Sequence, residues 1–227
     1  MKCNIDQNSL SIELITWWSG NKRIFPWRTT NDPYKILISE VLLHRTKANQ
    51  VVPIYLQFID RFPTIASLSS APFEQIDSLL KNLGLNWRAK LLYKMAQEIV
   101  TCYNGTIPEE KNELESLPGI SNYITAAVRN FAFNIADPLL DTNTVRILGR
   151  VFGFAVTDSS RRSPQFVYLY NSLKPREAYR DFGYALLDLG ALICTPRQPK
   201  CELCPLNKSC LFGLSKLGDK HERKAYC

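Results

Sequence analysis

The chain has 227 residues, room for one large domain or two smaller ones sharing an interface, and 45% of them are apolar, ample for a packed core. Charge interrupts the longest apolar runs, as Asp188 does in YALLDLGALIC, so no stretch approaches the roughly 18 residues of a bilayer span, and MKCNIDQNSLSIELITWW lacks the basic, apolar and small-residue regions of a secretory signal. A formal charge of +7 with pI near 9.0 suits a polyanionic partner, nucleic acid first, and the default compartment is the cytosol or the nucleoid within it.

Leu10, Leu14, Trp17 and Trp18 predict a short helix ending near Gly20, followed by the connector NKRIFPWR, which Pro26 makes extended. Asp32 and Pro33 form an N-cap and N1 pair for a helix carrying Ile36, Leu37, Val41 and Leu42. Glu40 lies inside that apolar run, ISEVLL. A helix over 47–62 follows from Val51, Tyr55, Phe58, Ile59 and Phe62, with Pro53 in its first turn or kinking it. Short helices are expected over 64–70 and 72–82. GLNWRAKLLYKMAQEIVTCYNG reads as a long helix stopped by Asn104 and Gly105, and 110–117 as a brief one.

In the stretch LPGISNYITAAVRNFAFNIADPLLDTNTVR, Pro118 and Gly119 make a tight turn, and the apolar run from Tyr123 to Phe133 is a helix starting beside it. Such a helix start suits a phosphate. Asp141 then opens a second amphipathic helix with Val145, Leu148 and Phe152 on one face, which puts its carboxylate at or next to the N-cap. Beyond Gly153, AVTDSSRRSP reads as a loop, with helices over 165–173 and 176–193. No useful period-2 strand pattern occurs, so the expected fold class is all-α, with about ten or more helices and no internal repeat.

Cys194, Cys201, Cys204 and Cys210 fall within CTPRQPKCELCPLNKSC, far from Cys3, Cys102 and Cys227. Four crowded thiols in a cytosolic protein point to a structural zinc or an iron-sulfur site rather than to disulfides. A zinc site normally pairs two CxxC knuckles, whereas only Cys201 and Cys204 form one here; the six-two-five spacing favours the cluster.

LPGISNYITAAV, the Asp in LLDTNTVR and the six-two-five cysteines together resemble the helix-hairpin-helix DNA glycosylase superfamily, in its iron-sulfur branch of endonuclease III, MutY adenine glycosylases and Mig-type G:T mismatch thymine glycosylases. NKRIFPWR, DPYKILISEVLLHRT, GLNWRAKLL and DLGALIC extend the likeness from about Trp17 to Cys210. The resemblance implies two all-helical domains, a six-helix barrel over 29–134 and a cluster domain from 1–28 plus 135–227, with the DNA cleft between them. It makes the turn from Leu117 through Gly119 to Ser121 and Asn122 a phosphate-binding hairpin, and gives the four cysteines a 4Fe-4S cluster. The family usually has glycine where this chain has Ser121, which puts the hairpin's backbone geometry in question.

Cleaving an N-glycosidic bond builds positive charge on the sugar and negative charge on the departing base. Asp141 fits the sugar end, where a helix start favours its ionised form for stabilising an oxocarbenium ion or orienting water. Glu40 fits the base end, since burial would raise its pKa and let it donate a proton or hold water; Mig-type and MutY-type enzymes resemble this chain in having glutamate there. Tyr123 stands where bifunctional relatives carry a lysine nucleophile, and a phenol forms no Schiff base, so the resemblance implies weak or no strand nicking. His44, Arg45, Asn86 and Trp87 are candidates for wedging into the stack or reading the opposite base. Arg197, Lys200, Lys208, Lys216, Lys220, Arg223 and Lys224 suit contact with the DNA backbone.

The partner is then double-stranded DNA containing a mismatched base, met by a monomer without a membrane. Thymine or uracil opposite guanine is the favoured target: HRT and GLNWRA look more Mig-type than MutY-type, and only seventeen residues follow Cys210, where MutY enzymes typically add a further domain. The alternatives are a MutY-like adenine glycosylase and a non-catalytic DNA-binding module that kept fold and cluster.

Overall fold

A computed structural model describes residues 7–83 and 86–216. Gly84, Leu85, the side chain of Asn86, and Lys220, Arg223 and Lys224 of the expected basic stretch lie outside the described residues. The described residues form eleven α-helices and no strand. They divide into two compact units, one over Ile24–Asp137 and one joining Met1–Arg23 to Pro138–Cys227.

The first unit holds α2 (Pro33–Leu43), α3 (Ala48–Arg61), α4 (Ile65–Ser69), α5 (Phe73–Leu80), α6 (Asn86–Cys102), α7 (Lys111–Ser116) and α8 (Asn122–Phe131). Its axis is α2, buried at Tyr34 and from Ile36 through Leu42 and packed against α3 and α8, while α6 packs on α4 and α5. Burial on nearly every side explains why α2 reads as a continuous apolar run instead of a stripe. Asp32 starts it by accepting from the N–H groups of Tyr34 and Lys35 (2.9 and 3.4 Å), with Pro33 in the first turn. The Tyr34 hydroxyl donates to the Phe62 carbonyl (2.6 Å) and ties this helix to the end of α3.

Pro53, expected in the first turn of α3 or at a kink, is the sixth residue of the helix, which continues past it. Pro53 and Asn49 are both exposed, so the hydrogen bond the ring removes falls on the solvent side while Val51, Tyr55 and Phe58 stay buried. The expected stop after α6 is present: Asn104 and Gly105 have φ of +52 and +76, and the Gly105 N–H donates to the Ile99 carbonyl (3.0 Å).

The second unit holds α1 (Gln7–Asn21), α9 (Thr142–Phe152), α10 (Pro164–Leu173) and α11 (Tyr179–Leu192), with α11 packed on α1 and α9. Asp188, the charge interrupting YALLDLGALIC, is wholly buried and accepts from Trp18 Nε1 (2.9 Å), the Arg23 N–H (3.0 Å) and Arg23 Nε (2.6 Å). Two details differ from expectation. The predicted loop AVTDSSRRSP contains a 3₁₀ turn over Asp158–Arg162, nucleated by reciprocal bonding between Thr157 and Ser160, and α11 begins at Tyr179 instead of Arg176 because Ala178 takes a left-handed φ of 59°. No helix among the described residues is long and apolar enough to cross a membrane.

Candidate functional site

The hairpin joins α7 to α8. Leu117 is buried, Pro118 follows it, Gly119 has φ +81, and the Ile120 N–H returns to the Leu117 carbonyl (3.2 Å). Pro at the second position and a positive-φ glycine at the third make a type II turn. A Cβ at Gly119 would stand 2.9 Å from Leu91 Cδ1 and 3.1 Å from Leu91 Cβ on α6, so both the dihedral and the space demand glycine.

Ser121, the departure from the family pattern, causes no such conflict. It has an extended backbone (φ −98, ψ 161) and caps α8, its hydroxyl accepting from the Ile124 N–H (3.3 Å). Asn122 is exposed at the first position of α8, and Tyr123 is half-buried beside it. Gly119→Ala is therefore expected to weaken binding to an abasic duplex, measured by anisotropy, and to cost about 1 kcal/mol or more of stability in denaturant. Ser121→Gly, which loses one cap bond, costs only a few tenths of a kcal/mol.

A cavity of about 70 Å³ lies in the same unit, lined by His44, Trp87, Arg88, Leu91, Gly119 and Ser121 among others. The structure thus gathers four sequence candidates, His44, Trp87, Gly119 and Ser121, around one hollow; Glu40, Arg45, Asn122 and Tyr123 do not line it. His44 and Trp87 meet edge to face at 6.1 Å. Burial first, then Arg88 and Arg45, lowers the His44 pKa from its ordinary value, which favours the neutral imidazole.

Arg45 is exposed with φ +61 just past α2. The turn there is pinned by Arg88, a fully buried side chain that the sequence reading passed over, which donates to the Leu42 carbonyl (2.8 Å) and the Thr46 hydroxyl (3.2 Å). An arginine inside the apolar pattern of WRAKLL was the available signal. Glu40 sits one turn earlier in α2 and is 5% exposed.

In the other unit Asp141 is the N-cap of α9 and half-buried, accepting from the Thr144 N–H (2.7 Å) and from Asn143 Nδ2 (2.9 Å). Asn143 Oδ1 in turn accepts from Arg146 Nη2 (2.9 Å), whose Nε donates to the Cys194 carbonyl (2.9 Å). A hydrogen-bonded series therefore fixes the carboxylate's orientation and ends at the first cysteine of the loop.

The sequence of residues 38–166, more than half of the chain, matches the HhH-GPD superfamily of base excision DNA repair proteins. The chain belongs to this family. Residues 194–210, which begin and end on cysteines of the loop, match the iron-sulfur binding domain of endonuclease III. A thymine/uracil-DNA glycosylase of Pyrobaculum aerophilum is 38% identical, covering 92% of this chain and 93% of that protein. One from Methanothermobacter thermautotrophicus is 36% identical, covering 88% and 90%. The solved structure of a thermostable thymine-DNA glycosylase superposes with a TM-score of 0.87 at 35% identity, covering 93% of this chain and 98% of that one.

The cofactor of this HhH-GPD protein is a 4Fe-4S cluster. The donor set fits it. Burial, with the negative charge of Cys194, Cys210 and Cys201 adding to it, pushes the Cys204 thiol up to about 12, and Cys201 and Cys210 are raised as well. Thiols crowded in this way ionise together only around positive charge, which iron supplies. A 4Fe-4S cluster takes each of the four thiolates on a separate iron. The Cys194 sulfur accepts from Arg150 Nη1 (3.3 Å) and that of Cys210 from the Gly213 N–H (3.4 Å).

Proposed function

We propose that this chain is a monofunctional mismatch glycosylase that takes thymine or uracil opposite guanine out of the duplex and hydrolyses its N-glycosidic bond. The observation that carries the base class is the 36–38% identity, over about nine tenths of both chains, to proteins named thymine/uracil-DNA glycosylases. The Leu117–Asn122 hairpin holds a backbone phosphate through N–H groups at the turn and the start of α8. His44, Arg45, Asn86 and Trp87 meet the disturbed stack and the opposite base, an aromatic pair and a cation suited to filling the space a flipped base leaves.

Asp141, already held by donors on two sides, presents a carboxylate to the sugar as positive charge develops there. Glu40 delivers a proton or aligns water on the base side. Cys194, Cys201, Cys204 and Cys210 hold the cluster, which when bound cross-links four points of an otherwise irregular loop. The protein works as a monomer.

The test is a panel of G:T, G:U, A:G and A:oxidised-G duplexes, treated with alkali after incubation to show which strand is cut. Cleavage at the pyrimidine of G:T or G:U is the expected result; cleavage at adenine alone transfers the proposal to the adenine glycosylases, and none at any duplex removes the enzymatic reading. Borohydride added during turnover is expected to trap little covalent adduct, because Tyr123 has no amine to form an imine. Efficient trapping would show that another amine in the chain acts as nucleophile.

A further inference from the structure

We infer that Arg150 is a positioning residue for the cluster: it places a fixed positive charge and an N–H donor on the sulfur of Cys194, making it harder to remove an electron from the bound cluster. Arg150 lies on α9, one turn beyond Arg146 on the same face. Its Nη1 donates to Cys194 Sγ (3.3 Å) and to the Thr195 carbonyl (2.8 Å), and its Nη2 to the Pro196 carbonyl (2.9 Å). The guanidinium carbon sits 4.7 Å from the centre of the Phe212 ring, beyond the last cysteine, so the planar group is held from both ends of the loop.

Four bonds, the longest from Nη1 to the Cys194 carbonyl (3.5 Å), and a stacking contact hold the fork in one orientation, an arrangement a lysine's single ammonium cannot reproduce. Three of the bonds tie α9 to the loop backbone, which accounts for a structural role. The fourth ends on sulfur, which a purely structural anchor does not require. Hydrogen bonds to ligand sulfurs and nearby positive charge are among the levers that set cluster potentials. Both disfavour the oxidised, more positive level, so Arg150 raises the potential of the couple in which one electron leaves the cluster. An electrode takes up that electron, and the inference needs no proton transfer.

The inference rests on Cys194 being a cluster ligand in the proposed function. The experiment separates the two. Iron and sulfide are measured in the purified holoprotein and in Cys194→Ser; a wild type with no cluster, or a Cys194→Ser protein with a full and unchanged one, refutes the ligand reading itself. The midpoint potential and the rate of bleaching by ferricyanide are then measured without DNA for wild type, Arg150→Gln, Arg150→Lys and, as a control, Arg197→Gln, which removes an exposed charge of the same loop.

Arg150→Gln is expected to keep its iron, to have a midpoint shifted to more negative potential and to bleach several-fold faster. Arg150→Lys should move the same way by less, and Arg197→Gln should match wild type. Arg150→Gln with full iron and wild-type midpoint and bleaching overturns the inference, as does a shift in Arg197→Gln equal to that in Arg150→Gln. Should Arg150→Gln fail to accumulate the cluster, Arg150→Lys decides: a smaller negative shift supports the inference, and wild-type values overturn it.

Discussion

Asp141→Asn is expected to bind a G:U duplex with nearly wild-type affinity and to release the base roughly 10²- to 10³-fold more slowly, the scale on which one preorganised electrostatic group contributes to a transition state. The substitution isolates charge from shape. Asparagine is as good an N-cap as aspartate, and its carbonyl oxygen can still accept from the Thr144 N–H, so α9 starts as before. What is lost is the negative charge that the proposed function sets opposite the sugar, together with one of two acceptors: the amide nitrogen cannot receive the bond from Asn143 Nδ2. Single-turnover release of labelled uracil, alongside anisotropy on the same duplex, checks both halves. Release within about threefold of wild type, far below a typical electrostatic contribution, would mean that Asp141 is a helix cap and nothing more.

The second large effect is expected at Glu40. Glu40→Gln keeps the length and polarity of a side chain that α2 buries to 5% exposure, yet cannot carry a dissociable proton. Positioned acid catalysis is worth about 10²- to 10⁴-fold, and the single-turnover rate should fall within that range. The pH profile identifies the cause. If Glu40 acts as the acid, the wild-type rate declines as the pH rises and that proton is lost, and the Gln variant shows a low rate without that decline. A Gln variant with an unchanged profile and rate would return Glu40 to a purely structural place in α2, and thermal melting of both proteins guards against reading a packing loss as a catalytic one.

Local features were the legible ones. Asp32–Pro33, Asn104–Gly105, Pro118–Gly119 and Asp141 each act on backbone within a few residues, so their chemistry can be read where it stands. For Arg88 the apolar pattern of WRAKLL signals burial but not the partners, because Leu42 and Thr46 lie more than forty residues away. Asp188 was read only as an interruption in an apolar run; its three donors come from Trp18 and Arg23, up to 170 residues distant. Ser121 shows the converse limit. The glycine usual in the family suggested a demanding backbone, but the dihedral at this position is one that any residue adopts, and the left-handed demand falls at Gly119 alone.

The contact between Gly119 and Leu91 has a consequence for how far along a strand the protein reaches. Leu91 lies one turn beyond Trp87 on α6, so the turn that would grip a phosphate and the ring that would probe the stack are braced on the same rigid rod. In the proposed reading, the step from the held phosphate to the inspected base is then a fixed length set by α6, a ruler instead of a hinge. Lengthening that rod by one residue between Trp87 and Leu91 would leave both parts present but out of register, a grip and a probe falling on different nucleotides.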